Sequence, residues 1–208
     1  TLTKEGTYLA AAKELKELAE LGITTIELMP IAEFDGKFGW GYDGVSLFAP
    51  YHYYGSPDDL RTFINEAHTL GLGVILDVVY NHFGPSGAYH NKFSDDYFSK
   101  TVSLDWGDAI NFDGPHSEPV REFFLANARY WIEEFHFDGL RLDATHFMYD
   151  DSEIHIISEI VQETRKAAGT RHVYMIGENE PQLSKTTIPI EEGGYGLDAV
   201  WNDDFHHS

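Results

Sequence analysis

The chain has 208 residues, 42% of them apolar, which is enough for a sizeable core in one or two domains. Its 35 acids against 14 bases give a formal charge of −21, which argues against a nucleic-acid partner because phosphate binding needs a basic face. No apolar run approaches the ~20 residues of a membrane span, and the absence of cysteine excludes disulfides and thiolate metal sites.

Ala11, Leu15 and Leu18 fall at helical spacing and Gly22 stops that helix. The β-branched run "ITTIELMP" follows, then a loop rich in glycine and aromatics around Trp40 and Tyr42. Ser56 caps a second helix with Pro57 at its first position, Asp59 in its first turn and an apolar stripe of Leu60, Phe63, Ile64, Ala67 and Leu70. "GVILDVVYNH" is nearly continuous in apolar character, the pattern of a parallel strand buried on both faces. From about Phe83 to Pro119 the chain lacks clear periodicity, so residues 83–119 are expected to form a loop-rich insertion within a domain spanning 1–208.

Val120, Phe123, Phe124, Asn127, Trp131 and Phe135 mark a third helix, and "DGLRLDA" the next strand. Ile154, Ile157, Val161 and Thr164 mark a fourth helix, followed by strands in "VYMIGEN" and "LDAVWNDDF". Strand–helix alternation with buried strands predicts an α/β fold with a parallel sheet. No glycine-rich phosphate loop opens a helix, which disfavours a nucleotide-binding doubly wound fold.

Polar residues gather where such strands end. Asn81 and His82 close one strand, Arg141 and Asp143 the next, and Glu178 the one after. Three such placements in succession predict a shared site at the C-terminal face of the sheet. Arg141 and Asp143 are two apart on a strand and so face the same way, and a guanidinium beside a carboxylate favours the ionised form that a nucleophile requires. Glu178, behind Ile176 and Gly177, suits a partly desolvated general acid. Two such carboxyls fit a retaining glycosidase, with the aromatics near Trp40 and Tyr42 as sugar platforms. Asp77, His82, His146 and Glu178 could instead hold a metal, but no H-x-H strand pair or H-E-x-x-H helix supports that.

"DVVYNH", "GLRLDA" and "IGEN" resemble three signature segments of the α-amylase family of glycoside hydrolases, in the right order. The resemblance implies a (β/α)8 TIM barrel, incomplete here, with the predicted strands as barrel strands two to six and the insertion after the third. It implies Asp143 as nucleophile, Glu178 as general acid/base and Arg141 as partner of the nucleophile. His82 and Tyr42 would bind the sugar at the cleaved bond, Asp77 would support the site, and Asn81 matches a position that binds calcium in some members. The short insertion supplies no obvious partner ligands, so neither metal nor cofactor is expected.

"IELMPIAEFDGKFGWGYDG", "WGDAINFDG" and "VWNDDFHHS" resemble members that release trehalose, which implies hydrolysis of the α-1,4 bond next to the terminal trehalose of maltooligosyltrehalose. His146, Asp203 and His206 would then line the leaving-group side. Glycogen branching enzymes share "IELMP" and "WGY" and are the alternative within the family. A non-catalytic glucan-binding piece is the alternative outside it. The resemblance places a third catalytic acid beyond this chain, so the isolated chain is expected to be inactive. A cytoplasmic location is expected, with an α-glucan as partner and neither nucleic acid nor membrane.

Overall fold

In the computed structural model, which describes residues 2–104 and 107–202, the buried runs form a five-stranded parallel sheet. Its strands are β1 (Thr25–Leu28), β2 (Gly73–Val78), β3 (Gly139–Leu142), β4 (Tyr174–Asn179) and β5 (Ala199–Asn202), and they lie in sequence order. A sheet that advances in one direction without reversing is barrel wall; a doubly wound sheet would show a switch point.

Strand alternation explains both the apolar runs and the exceptions within them. In register, Glu27 pairs with Ile75, Asp77 with Arg141, Arg141 with Ile176, and Glu178 with Trp201, so these residues share one face. The other face carries Val74, Leu76, Val78, Leu140, Leu142 and Met175, all buried in the core against the helices. Burying each such side chain contributes about 1.5–3 kcal/mol. The sheet therefore has an apolar outer face and a polar inner one.

The helices that cover the outer face are α1 (Tyr8–Ala12), α2 (Leu15–Glu20), α3 (Pro57–Thr69), α4 (Glu118–Glu134) and α5 (Ile156–Ala168). The single helix expected before Gly22 is broken. Lys13 and Glu14 bond back to Ala10 and Ala11, three residues away, which tightens the chain between α1 and α2. α3 has its expected start, with Ser56 and Asp59 forming a reciprocal capping box ahead of Pro57. Leu70 sits at its C-cap, 40% exposed and off the expected stripe. Ile154 precedes α5 and is exposed.

Asn127 of α4 is a buried hub. Its amide donates to the Leu47 carbonyl at 2.8 Å and accepts from the Tyr80 hydroxyl at 2.7 Å and the Trp131 indole at 3.1 Å. The segment after β2 is more regular than its sequence suggests, with a helical turn at His90–Phe93 and an antiparallel ribbon of Phe98–Leu104 with Gly107–Ile110. No helix among the described residues is long and apolar enough to cross a membrane.

Candidate active site

Asp77, Arg141 and Glu178 project from the inner face of β2, β3 and β4, and Asp143 follows the last residue of β3. Arg141 joins them. Its Nη1 donates to both Asp77 oxygens, at 2.7 and 2.9 Å, and to Asp143 Oδ1 at 2.8 Å. Its Nη2 lies 2.8 Å from Glu178 Oε2. One guanidinium thus spans the two carboxyls expected to do chemistry and a third behind them. Arg141 and Asp77 are almost wholly buried, whereas the Asp143 and Glu178 side chains are 13% and 34% exposed. The inner pair supports, and the outer pair can meet a substrate.

Backbone geometry sets the outer pair. The Asp143 amide donates to the Val78 carbonyl at 3.0 Å, which continues the sheet beyond β3. Ala144 then turns left-handed, at φ 40° and ψ 55°, a conformation that costs a non-glycine residue of order 1–3 kcal/mol. That turn aims the Ala144 amide at Glu178 Oε2, 2.9 Å away, and the Thr145 hydroxyl donates to the Glu178 carbonyl at 2.6 Å. Asn81 braces the other side by donating to the Asp143 carbonyl and to its Oδ2, both at 2.9 Å.

Two loops deliver Tyr42 and His82. Gly41 adopts φ +94° against the Pro30 carbonyl, and Gly84 passes so near the Asp43 carbonyl that a Cβ would lie 2.0 Å from its oxygen. The Gly84 amide donates to the Gly44 carbonyl at 3.1 Å, which fastens the loops together. The Tyr42 hydroxyl donates to Asp77 Oδ2 at 2.8 Å. His82 lies with Nε2 3.1 Å from the Tyr42 carbonyl and Nδ1 against the Asn81 amide oxygen.

Electrostatics follow from burial. Burial raises the Asp77 carboxyl to about 6 even though Arg141 opposes it. Burial, with Asp77 adding to it, raises the Tyr42 phenol above its usual value and keeps it a donor. Burial lowers His82, with Asp143 opposing.

The structure brings Tyr42, Asp77, Asn81, His82, Arg141, Asp143 and Glu178 together. His146 sits at the rim beside Glu180, whose amide donates to its Nδ1 at 3.3 Å. Asp203 and His206 lie outside the described residues. Among the described residues no group of three or more His, Asp or Glu is arranged to hold a metal ion.

Three parts of the site escape a sequence reading. Glu27 is the single acid in β1 and faces the same interior. The Ala144 amide has no side-chain signature. Trp201 lies under Arg141, its ring centre 4.8 Å from the guanidinium carbon, in a cation–π contact. An acid inside an apolar strand was the available signal for Glu27, since such residues are almost never buried without a reason.

A parallel sheet advancing one way, with acids and an arginine at consecutive strand ends, defines part of a (β/α)8 barrel with a carboxylate-rich site at its C-terminal face. The catalytic-domain model of the α-amylase family matches residues 3–107, and the chain belongs to that family. It is 48% identical, over its whole length, to 33% of the malto-oligosyltrehalose trehalohydrolase of Deinococcus radiodurans. A 1,4-alpha-glucan branching enzyme of Burkholderia thailandensis is 35% identical over 89% of this chain and 25% of its own. A crystal structure of a candidate alpha amylase from Salmonella typhimurium matches with a TM-score of 0.87 and 41% identity, over 99% of this chain and 35% of that one. The chain spans about a third of the length of the trehalohydrolase it matches.

Proposed function

We propose that this chain is the central part of a retaining glycoside hydrolase that cuts the α-1,4 bond next to the terminal trehalose of maltooligosyltrehalose. The observation that carries the reading is the single Arg141 guanidinium held between Asp143 and Glu178. In this mechanism the Asp143 carboxylate attacks the anomeric carbon while the glycosidic C–O bond breaks and Glu178 protonates the departing oxygen. Water then attacks the glycosyl–enzyme bond, gives its proton to Glu178 and releases Asp143. Arg141 and Asn81 hold the nucleophile, and Asp77 holds Arg141 and Tyr42. Tyr42 and His82 line the sugar site, with His146, Asp203 and His206 on the leaving-group side. The protein works in the cytoplasm, and the isolated chain turns over no substrate.

Trehalose as product rests on the higher identity to a trehalohydrolase than to a branching enzyme. The test is the full-length protein carrying this chain, incubated with maltooligosyltrehalose and separately with amylose. Free trehalose is expected, and new α-1,6 branches would instead assign a transferase. Asp143→Asn is expected to lower kcat/KM by at least about 10³-fold, and full trehalose release by that variant would overturn the mechanism.

A further inference from the structure

We propose that Glu27 is a positioning residue of this site, a carboxyl that carries a proton on behalf of Asp77 and so leaves both Asp77 oxygens to Arg141 and Tyr42. The inference rests on the functional reading above only where turnover is the readout.

The geometry begins with register. Glu27 pairs with Ile75, and alternation places Glu27, Ile75 and Asp77 on one face, with Asp77 one step further along the neighbouring strand. Among the described residues four acids share this interior: Glu27 on β1, Asp77 on β2, Asp143 after β3 and Glu178 on β4. Arg141 is the one guanidinium facing them among those residues, with His82 and the Tyr42 hydroxyl at the loop side. Arg141 touches three of the four acids, and its Nε is buried with no hydrogen-bond partner among the described residues. The guanidinium is heavily committed without being saturated.

Four carboxyls around one cation in a partly buried layer cannot all stay ionised cheaply. The geometry decides which of them takes the proton. Asp77 accepts from Arg141 with both oxygens and from the Tyr42 hydroxyl with one of them, and a proton on either oxygen would cost one of those bonds. Asp143 has both oxygens engaged, by Arg141 and by Asn81. Glu178 is set apart by its role, since a general acid must bring its own proton to the leaving oxygen, and its Oε2 meets Arg141 and the Ala144 amide. Glu27 is the remaining acid. Burial, then the charge of Asp77, raises it from 4.5 to about 7 against the pull of Arg141. The proton rests on the Glu27 side, where it displaces none of the bonds that Arg141 and Tyr42 make to Asp77.

The consequence is a charge that appears on Glu27 as pH rises through about 7. A negative charge that appears in this layer as pH rises favours the positive charge developing on the sugar in the transition state, so it sustains activity on the alkaline side.

The experiment compares wild type, Glu27→Gln and Glu27→Asp in the full-length protein, reading kcat/KM for α-glucan hydrolysis from pH 5 to 9. Glu27→Gln is expected to differ least from wild type below pH 6, where Glu27 already carries its proton, and most above pH 7. Its alkaline limb is expected to move down by about half a pH unit, and Glu27→Asp should restore it. Superimposable profiles, or an equal loss at every pH, would overturn the proposal. A second readout needs no turnover: in protein labelled at the glutamate side-chain carboxyl carbon, the resonance lost in Glu27→Gln should titrate near pH 7. A midpoint near 4.5 would also overturn the proposal. Absence of any hydrolysis, with that resonance titrating near 7, would sink the glycosidase reading and leave Glu27's proton in place.

Discussion

Arg121 on α4 and Arg141 on β3 are both buried guanidiniums held by carboxylates, and their surroundings differ in a way that burial does not reveal. Arg121 gives Nε to Glu159 at 3.0 Å, Nη2 to Glu159 and the Ile154 carbonyl at 2.8 Å each, and Nη1 to Asp150, Ser152 and the Phe112 carbonyl. Each of its nitrogens is used, and its partners come from the segment before α4, the loop after β3 and helix α5. Arg141 leaves Nε without a partner among the described residues, and two of the acids it holds are open to solvent. A saturated network fixes elements in place, whereas one that is over-charged and under-bonded has capacity left for a ligand.

The largest effects separate the two arginines by what fails. Arg141→Met and Arg121→Met each remove the cation from buried carboxylates and are both expected to cost about 3–5 kcal/mol of stability. Activity should part them. In protein kept folded at low temperature, Arg121→Met is expected to hold kcat/KM within about threefold, while Arg141→Met loses at least about 10²-fold. Calorimetry and initial rates on the same samples check both halves. Equal losses of activity would mean that Arg121 belongs to the site as well.

The two hubs were not equally visible in the sequence. Arg141, Asp143 and Glu178 were legible because alternation and strand ends place them, and those rules act within a few residues. Arg121 was not, because it sits in an apolar helical pattern and its partners lie 9 to 38 positions away in the chain. Glu27 was hidden for the opposite reason: β-branched neighbours made "ITTIELMP" look apolar throughout, and the reason for its acid lies on other strands. The ribbon of Phe98–Leu104 with Gly107–Ile110 was missed because its pairing shifts register between Phe98 and Ser103, which breaks the period-two signal. The break between α1 and α2 came from local three-residue bonding that no residue type marks.

A smaller effect with opposite signs tests the same contrast through pH. The bonds from Ser152, Arg121 and Ile156 outweigh burial and hold Asp150 below its ordinary value of 3.8, whereas burial raises Asp77 to about 6. The stability that Asp150 contributes is fully present above pH 3.8 and is lost as pH falls through its lower folded value. Folded Asp77 binds its proton more tightly than the unfolded chain does, so wild type gains stability as pH falls from about 6 toward 3.8. The melting-temperature gap between wild type and Asp150→Asn should therefore shrink below pH 3.8. The gap to Asp77→Asn should widen between pH 6 and 4. Parallel slopes would erase the distinction between the two hubs.

The smallest effect asks whether saturation confers tolerance. Ser152 is one of five residues that accept hydrogen bonds from Arg121, its hydroxyl lying 3.2 Å from Nη1, while the same nitrogen is also held by Asp150 at 2.7 Å and by the Phe112 carbonyl at 2.6 Å. Ser152→Ala removes the longest of those three bonds and leaves the nitrogen satisfied, and the Ser152 amide still donates to Asp150 at 2.9 Å. A net hydrogen bond contributes about 0.5–1.5 kcal/mol, and a donor that keeps other partners avoids the desolvation penalty of being orphaned. The expected cost is therefore at most about 1 kcal/mol in denaturant melts, with kcat/KM unchanged. Asn81→Ala is the matching deletion at Arg141's hub, because it strips Asp143 Oδ2 of its amide donor and leaves that oxygen with no other side-chain donor among the described residues. There the loss should appear in kcat before it appears in stability. If Ser152→Ala lowered activity as Asn81→Ala does, redundancy of bonding would not be what separates the Arg121 hub from the Arg141 hub.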